Sequence, residues 1–171
     1  MHKASHEIMR YFAEKYLDPN SKLSILDVGS YDVNGNYKDL FQNPKWKYYG
    51  LDIEPGPNVD LISKSVYDFS LKERFFDVVV SGNTLEHVEA PWVWIQQIKK
   101  VVKENGLICI IVPFFIGIHR HPLDCWRIAP DGMRYLLTKH CGFELLECNM
   151  NRAMPCDVYG IARYKTNGSG G

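Results

Sequence analysis

The stretch Leu23-Ser24-Ile25-Leu26-Asp27-Val28-Gly29-Ser30-Tyr31-Asp32-Val33-Asn34-Gly35 decides how the rest of the chain is read. Its first half, Leu23 to Val28, is short and mostly apolar, which suits a strand buried on both faces of a parallel sheet. The composition then switches to Gly, Ser, Asp and Asn. A buried strand that stops at a loop of small residues presents backbone N–H groups to a ligand, and this is the place where open α/β sheets bind theirs.

Working outward, residues 5 to 17 place Ile8, Met9, Phe12, Tyr16 and Leu17 at spacings of three and four, an amphipathic helix with Ser5 as its N-cap. Gly35 to Phe41 is expected to start a second helix. Trp46 to Ile53 alternates into a strand that ends at Asp52, before the turn Pro55-Gly56-Pro57, and Asn58 to Ser63 is a brief third strand. Phe75 to Ser81, centred on Val78-Val79-Val80, reads as a fourth buried strand. Pro91 opens a helix with the apolar stripe Trp94, Ile95, Ile98, Val101 and Val102, stopped by Asn105-Gly106. Leu107 to Val112 is the fifth strand, Pro130 to His140 a helix, and Phe143–Cys148 and Val158–Tyr164 two last strands in a hairpin-like relation.

Strands alternating with helices, then two strands with no long helix between them, imply an α/β fold: a Rossmann-like three-layer sandwich around a seven-stranded, mainly parallel sheet with one antiparallel strand near the edge. Residues 1–165 are expected to form a single domain and 166–171, Thr-Asn-Gly-Ser-Gly-Gly, a flexible tail. Twenty basic and twenty acidic residues cancel with no long block of either sign, so the composition points away from nucleic acid and from membrane surfaces and toward a small-molecule partner. No apolar run has the length of a signal peptide or a membrane span, and a cytoplasmic location is expected. The five cysteines are odd in number and widely spaced, without a Cys-x-x-Cys pair, which argues against disulfide frameworks and zinc clusters. Cys109 and Cys148 read as core residues, and Cys125, among polar neighbours, is the one that stands apart.

Ligands should therefore gather beyond Val28, Ile53, Ser63, Ser81 and Val112. Asp52, 25 residues after Asp27, is placed where a carboxylate can accept both hydroxyls of a ribose. A nicotinamide dinucleotide would want a second glycine where Tyr31 stands, so a pyrophosphate-bearing cofactor is disfavoured.

Taken in order, Leu26-Asp27-Val28-Gly29-Ser30, Gly50-Leu51-Asp52-Ile53, Phe76-Asp77-Val78-Val79-Val80-Ser81, Leu85-Glu86-His87-Val88 and Gly106-Leu107-Ile108-Cys109-Ile110-Ile111-Val112-Pro113 resemble the class I S-adenosylmethionine-dependent methyltransferases. The likeness is to the small bacterial type and spans nearly the whole chain. It implies a cofactor site with these parts. Asp27 and Gly29, with Ser30 and Tyr31 in the same loop, would meet the methionine portion; Asp52, with Ile53 beside it, would grip the ribose. Val66 and Tyr67 would lie against the adenine, and Ser81, Gly82 and Asn83 would line the sulfonium end. Two departures stand out: Ser65 where many relatives carry an acid for the adenine amino group, and Tyr31 where most carry glycine. Tyr31 either folds over the cofactor or packs outward.

For the chemistry, His87 is the first candidate base, since imidazole titrates near neutral pH. The loop Phe115 to Arg127 adds His119 or His121 as base, Arg127 to hold an anionic or hydroxyl-rich acceptor, and Trp126 to stack on a ring. Its structural alternative is an Asp124–Arg127 pair that pins the loop. Some relatives bind a divalent metal through Glu-x-x-Glu-His; here the first carboxylate is Asn83, so no essential metal is expected. Of Trp92 and Trp94, only one can face the core, and an exposed Trp there would mark the surface of a homodimer. The enzyme reading, O-methylation of a small polar acceptor, stands against a nucleoside-binding module that performs no methyl transfer.

Overall fold

The computed structural model describes residues 3–120, 122–152 and 154–165. The residues 166–171 that the sequence marks as a tail lie outside that range. In chain order the elements are α1 (Lys3–Tyr16), β1 (Leu23–Val28), a 3-10 turn (Lys38–Phe41), β2 (Trp46–Asp52), β3 (Leu61–Ile62), β4 (Phe76–Gly82), a second 3-10 turn (Leu85–His87), α2 (Pro91–Val101), β5 (Val102–Phe115), α3 (Pro130–Tyr135), which runs into a π-turn (Leu136–His140), β6 (Glu144–Met150) and β7 (Cys156–Arg163). The strands form one sheet in the order β3-β2-β1-β4-β5-β7-β6. All neighbours from β3 to β5 pair in parallel, and β7 is antiparallel to both β5 and β6. The expected sheet, with its single reversed strand near the edge, is therefore present.

Side chains of the central strands alternate between two cores, which is why these strands read as unbroken apolar runs. Val78 and Val80 of β4, with Cys109 and Ile111 of β5, pack under Ile8, Met9 and Phe12 of α1. Val79, Ile108, Ile110 and Val112 face the other way, onto Trp94, Ile95 and Ile98 of α2 and Met133 and Leu137 near α3. Trp94 is 1% exposed while Trp92 is 47% exposed, so the helix resolves the pair as its period demands. Cys109 and Cys148 are buried and Cys125 is exposed.

Three local expectations need correction. Ser5 lies within α1, fully buried, and is not its cap. Gly35 to Phe41 does not open a helix: Asp32 accepts from the Gly35 N–H at 2.6 Å and from the Asn36 amide at 2.6 Å, and only the turn Lys38–Phe41 follows. A short acidic side chain that bonds its own loop offers the backbone an alternative to helix. Finally, α2 ends at Val101 and β5 begins at Val102, ahead of Asn105-Gly106; the turn at Asn105 (φ 62°) falls inside the long strand, where the register against β4 shifts.

Because β1 pairs with β2 on one side and β4 on the other, the winding reverses between them. A crevice opens beyond the C-terminal ends of the strands at that point.

Candidate active site

The turn after β1 is built around Gly29, whose φ is +80°. An added Cβ would stand 2.1 Å from Thr84 Oγ1, so glycine is required both by handedness and by the close approach of the loop after β4. The Gly29 and Ser30 N–H groups donate to Leu51 O at 2.8 and 3.1 Å, which locks this turn to the end of β2. Beyond it lies a cavity of about 920 Å³, near the upper end of ligand pockets, with room for a nucleoside and a second small molecule.

Of the residues expected to bind a cofactor, Asp27, Gly29, Ser30, Tyr31, Asp52, Ile53, Val66, Gly82 and Asn83 line this cavity. Asp27 is 2% exposed. Burial pushes its carboxyl up to about 7, against the hydrogen bond that Tyr48 Oη donates at 2.6 Å; the Asp52 charge adds to the rise. Asp52 accepts from the Tyr31 N–H at 2.9 Å and from the Ile53 N–H at 2.7 Å, so its carboxylate is oriented while lone pairs stay open to hydroxyl donors. Ser30 Oγ donates to Asn58 O at 2.9 Å, tying the loop down. The Tyr31 ring lies against Gly56, where a Cβ would meet it at 2.2 Å, and it remains 41% exposed at the cavity wall. Asn83, at φ 58°, presents a buried Oδ1 that has no hydrogen-bond partner among the described residues. Such an atom fits a bound polar ligand.

Two residues stand off the wall. Ser81 is buried and its Oγ donates to Val28 O at 2.7 Å, tying β4 to β1. The Tyr67 hydroxyl accepts from the Ala90 N–H at 3.0 Å, turned toward the start of α2.

His87 and His119 also stand on the cavity wall. They are 32 residues apart and meet because the loop after β5 is stapled onto the loop after β4. Leu123 O lies 2.5 Å from His87 Nδ1, the Cys125 and Trp126 N–H groups donate to Glu86 O at 2.7 and 3.2 Å, and Trp126 Nε1 donates to Val88 O at 2.9 Å. Trp126 therefore packs on that loop, edge-on to Trp92 at 6.1 Å. Arg127 is absent from the cavity wall. It grips Asp124 through two bonds of 2.5 and 2.8 Å and donates to Trp126 O and Gly117 O. The Arg127 guanidinium holds the Asp124 carboxyl well below the usual range, and Asp124 accepts from the His119 N–H at 2.7 Å. The pair is a clasp that positions His119. His121 lies outside the described residues.

Glu86 was visible in the sequence only as part of a motif. Its side chain is fully buried, burial raises its carboxyl to about 8, and neither oxygen has a hydrogen-bond partner among the described residues. Oε1 is 3.5 Å from His87 Nε2 and 3.6 Å from His119 Nε2. These three side chains are the described residues able to hold a metal ion, with one ligand atom from each lying within 4.8 Å of the others.

A family profile for the methyltransferase domain matches residues 1–143. A comparison with curated proteins finds no match. Among solved structures, a SAM-dependent methyltransferase from Aquifex aeolicus superposes with a TM-score of 0.65 at 14% identity, covering 93% of this chain and 88% of that one. The CurJ carbon methyltransferase gives 0.71 at 9% identity, over 96% of this chain and 55% of that one. The [4+2]-cyclase SpnF gives 0.71 at 15% identity, over 94% and 81%. At such identities the likeness concerns the fold, and a cyclase in the group shows that this fold does not fix the reaction. With the family profile spanning most of its length and the cavity at the switch of its winding, the chain belongs to the methyltransferase-domain family, with the class I S-adenosylmethionine-dependent fold that its strand-end loops resemble.

Proposed function

We propose that this chain transfers a methyl group from S-adenosylmethionine to an oxygen of a small polar acceptor, of the sugar or secondary-metabolite kind. The observation that carries the reading is a single cavity lined both by Asp27, Asp52 and Asn83 and by His87 and His119. When bound, S-adenosylmethionine supplies a methyl group activated by its sulfonium. The protein's task is then to hold donor and acceptor in line, which accounts for much of the rate in such displacements.

Asp27 takes the ammonium of the amino-acid end, since a buried carboxylate gains most from a cation brought into the same low-dielectric space. Asp52, already oriented by two N–H groups, accepts the ribose hydroxyls. Val66 packs on the base, and Asn83 Oδ1 finds a donor on the ligand. His87 and His119 act on the acceptor's proton. The rim of Asn34, Asn36, Glu54 and Arg120 favours a hydroxyl-rich molecule.

Calorimetry with S-adenosylmethionine tests the assignment. We expect one site per chain and at least tenfold weaker binding for Asp52→Ala, because a charge-assisted hydrogen bond contributes roughly 1.5–3 kcal/mol. Lack of binding, or an Asp52→Ala variant that binds like the wild type, rules the assignment out. Release of S-adenosylhomocysteine with hydroxylated acceptors then separates the enzyme from a module that only binds.

A further inference from the structure

We infer that Glu86, His87 and His119 bind one divalent transition-metal cation, with an open coordination position facing the cavity.

The first support is that all three groups offer lone pairs to the same point. A carbonyl oxygen only accepts, so with Leu123 O 2.5 Å from His87 Nδ1 that nitrogen carries a proton, and in the neutral imidazole the lone pair is on Nε2. Gly117 O, 3.2 Å from His119 Nδ1, fixes the same tautomer there, with the Asp124 carboxylate reinforcing it at 3.6 Å. The two Nε2 atoms, which carry the lone pairs in these tautomers, thus converge on Glu86 Oε1 at 3.5 and 3.6 Å, beyond good hydrogen-bond range. The spacing suits a shared cation. Ligand atoms about 2.1 Å from a tetrahedral centre stand about 3.4 Å apart, near the two separations observed.

Burial supplies an independent argument. Glu86 is fully buried and neither carboxylate oxygen has a hydrogen-bond partner among the described residues. A carboxylate in that state is costly unless a proton or a cation compensates it, and the two Nε2 atoms facing Oε1 complete a ligand set for a cation. The surroundings have the form of an outer shell: each histidine is oriented through its second nitrogen, and two N–H groups grip the Glu86 backbone carbonyl.

Two imidazoles and one carboxylate favour zinc, iron(II), manganese or cobalt over magnesium and calcium, which prefer all-oxygen sets. The expectation of no essential metal rested on Asn83 in place of a first carboxylate; here His119, from a different loop, supplies the third ligand. The inference deepens the proposed function by naming how the acceptor is activated. With the cation bound, the imidazoles would serve as its ligands in place of the base role proposed for them; the cation would acidify a hydroxyl that reaches its open position, whose proton leaves to solvent. Binding of the cation itself does not depend on that reading.

The test strips the full chain with a chelator, removes the chelator, and titrates with Zn²⁺ by calorimetry and Co²⁺ by visible absorption. One equivalent per chain is expected, with the visible bands of four- or five-coordinate cobalt. Glu86→Gln and His119→Ala should each weaken binding by at least ~100-fold, more than the ~10–100-fold typical of outer-shell changes. Far-UV circular dichroism and urea unfolding verify that each variant is folded. If His119→Ala unfolds, the isosteric Glu86→Gln decides. No saturable binding, or unchanged affinity in the folded variants, overturns the site. S-adenosylhomocysteine binding to metal-free and loaded wild type is read alongside: its absence removes the proposed function and leaves the metal stoichiometry to stand or fall separately.

Discussion

Replacing Asp27 by asparagine should stabilise the ligand-free protein at pH 8 and abolish its use of the ligand. Burial lifts the Asp27 carboxyl from 3.8 to about 7. The folded protein therefore keeps a proton that the unfolded chain releases between those values, and this group's contribution to stability is lost as pH rises through that window. From pH 5 to pH 7 the slope is one proton, about 1.4 kcal/mol per unit, and above pH 7 it flattens. The substituted amide has no charge to bury, and its oxygen can still accept from Tyr48 Oη. The stability of Asp27→Asn relative to wild type should thus grow by about 3 kcal/mol between pH 5 and pH 8.

Urea unfolding at the two pH values measures that double difference, in which pH-independent packing changes cancel. A gap that stays constant within about 1 kcal/mol would refute the claim that Asp27 is held charged against its burial. The same linkage governs binding. An arriving ammonium favours the ionised carboxylate, so affinity for S-adenosylmethionine should fall toward tenfold per unit below pH 7, and binding at pH 6 should release a proton. A destabilising charge kept in the apo site is what a cation-binding pocket requires.

Gly29→Ala must adopt φ near +80° and push aside the Thr84 side chain, whose Oγ1 lies 2.1 Å from the new Cβ; a loss of about 2–4 kcal/mol in urea unfolding is expected, partly recovered when Thr84→Ala is added. Asp124→Asn releases Arg127 and weakens the bond to the His119 N–H, so turnover should fall at least tenfold while affinity for S-adenosylmethionine changes little. Asp124 lies below its ordinary range because of Arg127, so its contribution to stability is present above the unfolded value near 3.8 and is lost only as pH falls through the lower folded one. The loop after β5 should therefore keep its conformation at pH 4.5, which the near-ultraviolet signal of Trp126 can report.

The parts of this protein that could be read from its residues are those whose cause is local. Strands β1, β4 and β5 announce themselves because burial on both faces demands an apolar residue at nearly every position, and the Gly29 turn does so because nothing else tolerates its geometry. Gly35 to Phe41 misled for a reason equally local, since Asp32 commits its carboxylate to the two residues that would otherwise open a helix. Arg127 was legible only as two alternatives, and Asp124 decides between them by distance. Of the cluster Glu86, His87 and His119, the adjacent pair Glu86-His87 was legible as the end of a metal-binding pattern, and His119 as its partner was not. The pair and His119 sit beyond the ends of two neighbouring parallel strands, β4 and β5, joined in sequence through α2, so no fixed spacing relates the pair to His119. What unites them is the set of bonds from Leu123, Cys125 and Trp126 to residues 86–88, which folds the second loop onto the first. Counting ligands along the chain stops at Glu86-His87 in one loop, whereas the sheet assembles a ligand set from two. Parallel strands place residues far apart in sequence at one edge, so in this architecture the chemistry of a site is written across loops and becomes visible only when the strands are laid side by side.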